Sequence, residues 1–270
     1  MALPISYLFV PGNRPERFDK ALASAAGAVI IDLEDAVAPA DKAAARSALA
    51  HWLSTHDEAR ARLCVRINDC RSADFRADLD CLAALDLHRL MLPKAESADD
   101  LMAVIARLGT DIQVIPLIET ARGVQQLMQI AAAPCVQRLA FGTLDYAADL
   151  ELSGDPRGLL YPASQIAIAS RCAGIGTPIA GVTAALQDPA ALAEDIALAR
   201  ACGFGAKLCI HPAQLEPTHS AFRPSADELA WAQRVIAAAS DSKGAVQLDG
   251  KMIDPPVLRK AQAIVDRASL

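Results

Sequence analysis

This chain has no apolar run of membrane-spanning length, and no basic segment near its start leads into a long apolar stretch. Neither a spanning helix nor a secretory leader is therefore expected, and the sequence reads as that of a soluble cytoplasmic protein. No C-x-x-C pair occurs among the seven cysteines, at positions 64, 70, 81, 135, 172, 202 and 209. Most lie inside apolar runs, as in Leu63-Cys64-Val65 and Leu208-Cys209-Ile210, the setting of buried, reduced thiols. There is no G-x-G-x-x-G after an early strand, which argues against an open dinucleotide-binding sheet. Walker and G-x-S-x-G patterns are missing too. His211 has no second histidine at ligand spacing, so it reads as a buried hydrogen-bonding residue rather than a metal ligand. Nor do the basic residues cluster. The formal net charge is −6 with Lys and Arg scattered, which leaves no surface for nucleic acid or an anionic membrane.

What is present is alternation. Over 270 residues, 53% of them hydrophobic, short apolar runs alternate with segments of helical periodicity. The runs are Tyr7 to Val10, Ala28 to Leu33, Leu63 to Ile67, Arg89 to Leu92, Val114 to Ile118, Val136 to Phe141, Pro178 to Val182 and Ala206 to Ile210. Helix starts stand between them. Asn13 precedes a helix through Leu22, Ser97 precedes Leu101, Val104, Ile105 and Leu108, and Asp188-Pro189 opens another; Ser225 to Glu228 form a capping box. Eight strands, each followed by helical or loop-plus-helical sequence over roughly 210 residues, is the pattern of a (β/α)₈ TIM barrel. Without an internal repeat or linker, residues 1–243 are assigned to the barrel. Residues 244–270, behind a Gly/Ser/Asp-bearing approach, are read as a C-terminal tail ending in a helix after Pro255-Pro256.

In such a barrel the C-terminal ends of the strands form the active site. Glu119 closes the run Val114 to Ile118 and Asp145 follows the run ending at Phe141, with Val124, Leu127, Met128 and Ala131 at helical spacing between them. A strand–helix–strand crossover makes the strands parallel neighbours, so both carboxylates emerge at one rim. Two hard oxygen ligands there suit Mg²⁺; equally, Asp145 reads as a helix N-cap and Glu119 as a first-turn dipole partner. Glu34 and Asp35 join the same rim, either around the ion and substrate or as salt-bridge partners of Lys42 and Arg46. Arg66 inside an interior strand needs an anion, which is either a substrate carboxylate or enolate or one of the rim acids. Lys94 is placed for an electrostatic role in catalysis, because surrounding carboxylates keep a lysine protonated and disfavour a Schiff base. Lys207 reads as structural.

The segments LFVPGNRPERFDKA, IDLEDAV, VRIN, LPKAES, PLIETARGV, FGTLDYAADL, GFGAKLCIHPAQL and LDGKMIDPPVLRKA follow in that order. In them the chain resembles the citrate lyase beta-subunit-like family along essentially its whole length. The resemblance implies a (β/α)₈ barrel that oligomerises, often as a homotrimer. It also implies cleavage or formation of a C–C bond in a 3-hydroxyacyl-CoA thioester, between an acyl-CoA and a keto acid. Mg²⁺ on Glu119 and Asp145 is implied, with substrate contact by Arg66. For Asp254 the resemblance implies a catalytic acid/base delivered across a subunit interface, although local sequence alone makes it a cap before Pro255. Arg14 is the candidate cation for the coenzyme phosphates. Family members often carry Asp at position 180 and Gly at position 206, where this chain has Ala180 and Ala206, and either departure bears on substrate or coenzyme fit. Two rival readings are a Mg²⁺-dependent aldolase acting on free hydroxy-keto acids and a non-catalytic partner subunit. Intact Arg66, Glu119 and Asp145 speak against the second.

Overall fold

Eight parallel strands hydrogen-bond in chain order, and the last returns to the first, so the sheet has no edge. They are β1 (Ser6–Pro11), β2 (Ala28–Asp32), β3 (Leu63–Arg66), β4 (Arg89–Leu92), β5 (Gln113–Ile118), β6 (Ala140–Phe141), β7 (Ile179–Ala180) and β8 (Ala206–Cys209). Around them run α1 (Phe18–Leu22), α2 (Lys42–Leu53), α3 (Phe75–Ala84), α4 (Ala98–Leu108), α5 (Ala121–Gln125), α6 (Leu127–Ala131), α7 (Thr143–Asp149), α8 (Leu160–Cys172), α9 (Pro189–Ala201) and α10 (Leu215–Phe222). The computed structural model describes residues 3–240 and 246–268, and the expected (β/α)₈ barrel is its fold. No helix among the described residues is long and apolar enough to cross a membrane.

The strands are apolar on both faces because helices cover one and the barrel interior fills the other. β2 is the clearest case, with all five residues of AVIID buried. Along each strand the residues alternate between two cores. Tyr7, Ile30, Cys64, Met91, Leu117 and Leu208 fill the interior, while neighbours such as Leu8, Ile31, Val65 and Leu90 pack in the outer layer. Two residues further on, the interior face reaches Asp32 beyond Ile30, Arg66 beyond Cys64 and Glu119 beyond Leu117. Strand parity thus aims three charged side chains into the C-terminal mouth.

Several local expectations are corrected. Only Ala140–Phe141 of the predicted sixth strand pairs regularly, and Val136 adds one isolated bridge to Val114. Between them Arg138 is buried with its guanidinium on the carbonyls of Pro4 and Thr177, both at 2.6 Å. The seventh strand is shorter than predicted because Pro178 has no N–H for the ladder and the Gly181 carbonyl accepts from the Lys207 ammonium at 2.6 Å. The crossover helix breaks at Gln126 into α5 and α6, which leaves Met128 54% exposed. Asn13 caps nothing; the short helical turn Pro15–Arg17 starts after Arg14 without a side-chain cap. Ser97, Asp188 and the Ser225/Glu228 pair make the caps expected of them. All seven cysteines are free, with Cys64, Cys135 and Cys209 buried and Cys172 exposed.

The chain divides between Thr218 and His219, within α10 and well before Gly244, where the sequence reading starts the tail. In the C-terminal unit, α11 (Ala226–Ser240) and α12 (Pro255–Ala268) share a core of Ala232, Val235, Ala261 and Ile264. An unexpected antiparallel hairpin, β9 (Val246–Leu248) with β10 (Lys251–Ile253), turns at Asp249 and Gly250. Both turn residues have positive φ, 52° and 76°, the geometry of a two-residue hairpin turn.

Candidate active site

β2 and β3 pair with Asp32 opposite Arg66, and the two side chains meet in a bidentate fork. Arg66 Nε donates to Asp32 Oδ1 at 2.8 Å and Nη2 to Oδ2 at 2.7 Å. Nη1 lies 2.9 Å from Glu34 Oε2, and the guanidinium stacks 4.9 Å over the Phe9 ring. Burial opposes the guanidinium charge, but the hydrogen bonds and charge of Asp32, with Glu34 and Asp35 behind it, outweigh that and hold its pKa above the ordinary value. Of the two partners foreseen for Arg66, the rim acids are the ones observed. Asp32, the main one, belongs to the acidic cluster that ends the second apolar run in the sequence, but the sequence reading gives it no site role.

Glu34 continues the chain of charges, accepting from Lys94 Nζ at 2.6 Å. Burial pushes the Glu34 carboxyl up despite Arg66 and Lys94 beside it. Lys94 feels the same burial in the opposite sense, but the Glu34 hydrogen bond and the charges of Glu34, Asp35 and Glu119 prevail and raise its pKa. These contacts favour its ammonium form. Lys42 and Arg46 do not pair with Glu34 or Asp35. Lys42 Nζ instead donates to the carbonyls of Leu33 at 2.9 Å and Glu34 at 3.0 Å, and to Asn68 Oδ1. Arg46 bonds Asp78 at 2.8 Å and Asp74 at 3.0 Å. The buried Asp78 in turn receives the side chain and backbone N–H of Asn68 at 2.7 and 2.8 Å. This polar lattice fixes the strand ends that carry Asp32, Glu34 and Arg66.

Glu119 is buried at the end of β5 and takes the Lys94 backbone N–H on Oε1 at 2.8 Å. Gly142 makes room for it, since a Cβ there would sit 2.6 Å from Glu119 Cβ and closer still to Oε2. Asp145 stands in the first turn of α7, whose N-cap is Gly142, so it is not the cap. Burial first, and then the charges of Asp145 and Glu34, push the Glu119 pKa up to about 8 against the Lys94 N–H. Among the described residues no group of three or more His, Cys, Asp or Glu is arranged around an ion. Glu119 and Asp145 line the same cavity, and an ion held by them would take its other ligands from water and substrate. Five carboxylates (Asp32, Glu34, Asp35, Glu119 and Asp145) gather here; Arg66 and Lys94 pair with Asp32 and Glu34, and Glu119 and Asp145 fit a divalent ion.

Asp32, Asp35, Arg66, Glu119 and Asp145 line one cavity of about 780 Å³, whose other walls are mostly apolar, among them Phe9, Leu117, Val182 and Ile210. Arg14 does not line it but pairs with Glu16 in solvent at 2.5 Å; Arg17 and Lys20, one turn on, do line it. His211 is exposed rather than buried, and it lines the same cavity. Lys207 is buried on the outer face of β8, with Ala180 as its register partner on β7, whereas Ala206 faces the interior. Burial lowers the Lys207 pKa. Asp254 caps α12, accepting the Val257 N–H at 2.9 Å.

A closed parallel barrel with a paired-carboxylate mouth defines the class, and sequence comparison gives the family. Residues 6–212 match the HpcH/HpaI aldolase/citrate lyase family, and the chain belongs to it. It is 39% identical over 269 residues to a citrate lyase subunit beta-like protein of Mycobacterium tuberculosis, covering 97% of this chain and 94% of that one. A (3S)-malyl-CoA thioesterase of Cereibacter sphaeroides is 35% identical over 272 residues, covering 96% and 95%. The crystal structure of CitE from Mycobacterium tuberculosis in complex with magnesium, acetoacetate and coenzyme A matches with a TM-score of 0.88 at 39% identity, over 100% of this chain and 99% of that one.

Proposed function

We propose that the protein is a Mg²⁺-dependent carbon–carbon lyase that cleaves, or in reverse forms, a 3-hydroxyacyl-CoA thioester. The observation that carries this reading is the Glu119/Asp145 pair beside the Arg66–Asp32 fork in one cavity, together with the magnesium and coenzyme A bound by the similar CitE. Glu119 and Asp145 would hold the ion, which when bound supplies Lewis-acid polarisation of substrate oxygens. Arg66, its charge held in place by Asp32 and Glu34, faces the substrate's negative charge with its remaining N–H groups. Lys94 keeps Glu34 paired and Glu119 aimed. A base takes the proton of the 3-hydroxyl, that carbon becomes the keto carbonyl, and the bond to C2 breaks. Its electron pair passes into the thioester as an enolate, which a proton on C2 converts to the acyl-CoA. Asp254 of a neighbouring subunit is our candidate base, in a homo-oligomer such as a trimer. Arg17 and Lys20, which line the cavity, join Arg14 as the cations offered to the coenzyme phosphates.

The relatives that hydrolyse malyl-CoA favour one second reading, thioester hydrolysis on the same scaffold. A panel of hydroxyacyl-CoA thioesters with Mg²⁺, read by mass, separates the two. The lyase releases a shorter acyl-CoA and a keto acid, whereas the thioesterase releases free coenzyme A and the intact hydroxy acid. Turnover of free hydroxy-keto acids in preference to thioesters would point to an aldolase.

A further inference from the structure

The end of β8 brings a histidine to the cavity in one chemical form. His211 opens the short helical turn Pro212–Gln214, and its Nδ1 accepts the Ala213 backbone N–H at 3.2 Å. An amide N–H only donates, so Nδ1 is without a proton and the proton of the neutral ring sits on Nε2. The backbone around it is held from two sides. Gln214, buried, accepts the Ile210 N–H at 2.9 Å and donates to the Thr183 carbonyl at 2.9 Å. The ring is exposed, and it lines the same cavity as Glu119, Asp145 and Arg66.

We infer that His211 is a substrate-contacting residue whose Nε2–H donates to an oxygen of the acyl thioester. The inference rests on the function proposed above. Cleavage delivers an electron pair to the thioester carbonyl oxygen, and a preorganised neutral donor stabilises that charge without surrendering its proton. Arg66 does not meet this need alone, because Nε and Nη2 are committed to Asp32 and Nη1 lies against Glu34. His211 adds an uncharged donor to the same cavity from just beyond the end of β8, the strand that pairs with β1. Its cap to Ala213 fixes which nitrogen faces outward, and the Gln214 bonds fix where the ring stands.

Two substitutions separate the two nitrogens. His211→Asn keeps an acceptor near the Nδ1 position and so the cap, but removes the donor at Nε2. His211→Gln reaches the Nε2 position with an amide N–H and gives up the cap. Melting temperature and kcat/KM with a hydroxyacyl-CoA thioester and Mg²⁺ are measured on both. His211→Asn is expected to melt like the wild type with kcat/KM lower by about 10²-fold, and His211→Gln to melt lower while keeping most of its activity. If His211→Asn keeps wild-type kcat/KM, the ring is only a cap and the inference is overturned. Calorimetric titration of the wild type with acetyl-CoA keeps the two readings apart. A wild type that neither binds acetyl-CoA nor cleaves any thioester removes the proposed function and this inference together. Wild-type turnover with an unimpaired His211→Asn removes the histidine's role alone.

Discussion

Lys94 holds two carboxylates of the cavity mouth at once. Its backbone N–H donates to Glu119 at 2.8 Å and its ammonium to Glu34 at 2.6 Å. It does so at φ 47°, a left-handed conformation that strains a residue with a side chain. Strain at this position is offset by what the two contacts hold. Lys94→Met leaves the N–H on Glu119 but strands the buried Glu34 carboxyl without its ammonium, so kcat is expected to fall by about 10-fold or more in a folded protein. A raised pKa keeps Lys94 protonated and argues against a Schiff base there. Borohydride added with a keto acid should leave the protein mass unchanged; a reduced adduct on Lys94 would replace the metal mechanism with a covalent one.

Glu119 links ion binding to pH. In the metal-free fold burial, with the charges of Asp145 and Glu34, pushes its pKa up from 4.5 to about 8. The folded value is the higher, so this group's contribution to stability is lost as pH rises from about 4.5 to about 8. Mg²⁺ needs the ionised carboxylate and has to displace that proton. The rise in melting temperature produced by Mg²⁺ is therefore expected to grow between about pH 6 and pH 8 and then flatten. Glu119→Gln and Asp145→Asn should each remove the Mg²⁺ response and turnover while the apo protein still melts cooperatively. A Mg²⁺ response independent of pH would detach the ion from Glu119.

Gly142 is the residue on which Glu119 rests. A methyl group there would collide with the Glu119 side chain, while the backbone bond from Gly142 N to the Ile118 carbonyl at 2.9 Å ties the two strand ends together. Gly142→Ala should displace the carboxylate and weaken Mg²⁺ binding by about 10-fold or more, with circular dichroism unchanged. Wild-type Mg²⁺ affinity in this variant would mean that Glu119 is free to move.

Much of this was legible in the residues themselves. Strands buried on both faces are written as continuous apolar runs, and Glu119 and Asp145 show because each follows such a run. The Asp32–Arg66 fork was not, because it depends on strand register between residues far apart in the chain. Stepping two residues beyond Ile30 and beyond Cys64 along the interior parity finds both partners. The hairpin at Asp249-Gly250 carries a turn signal, but strands of three residues are too short for alternation to show. His211 was misplaced because an apolar run ending at Ile210 reads as buried, whereas the barrel mouth opens at that point.

Ala180 faces the buried Lys207 ammonium across the β7–β8 pair. They share a small cavity of about 60 Å³ with Asp195, and the ammonium donates to the Gly181 carbonyl. A carboxylate at position 180 would bring a counter-charge to an ammonium whose pKa burial has lowered. Ala180→Asp is expected to raise the melting temperature by roughly 2–4 °C and to return the lysine pKa toward its ordinary value. A lower melting temperature would show that the cavity does not admit the carboxylate.

Asp254 is the residue whose two roles are easiest to confuse. It accepts the Val257 N–H at 2.9 Å at the start of α12, which is its structural part. The proposed catalytic part is delivered to a neighbouring subunit's cavity. Asn is as good an N-cap as Asp, so Asp254→Asn removes the ionisable group and keeps the helix start. An inactive Asp254→Asn with an unchanged melting temperature is the expected result. Glu119→Gln should also be inactive, through the other half of the site. Exchange of subunits between the two inactive proteins should restore part of the activity, because some interfaces then join an intact mouth to an intact tail. Mass spectrometry verifies that mixed oligomers form. If they form and stay inactive, or if Asp254→Asn alone is fully active, Asp254 is a helix cap and nothing more.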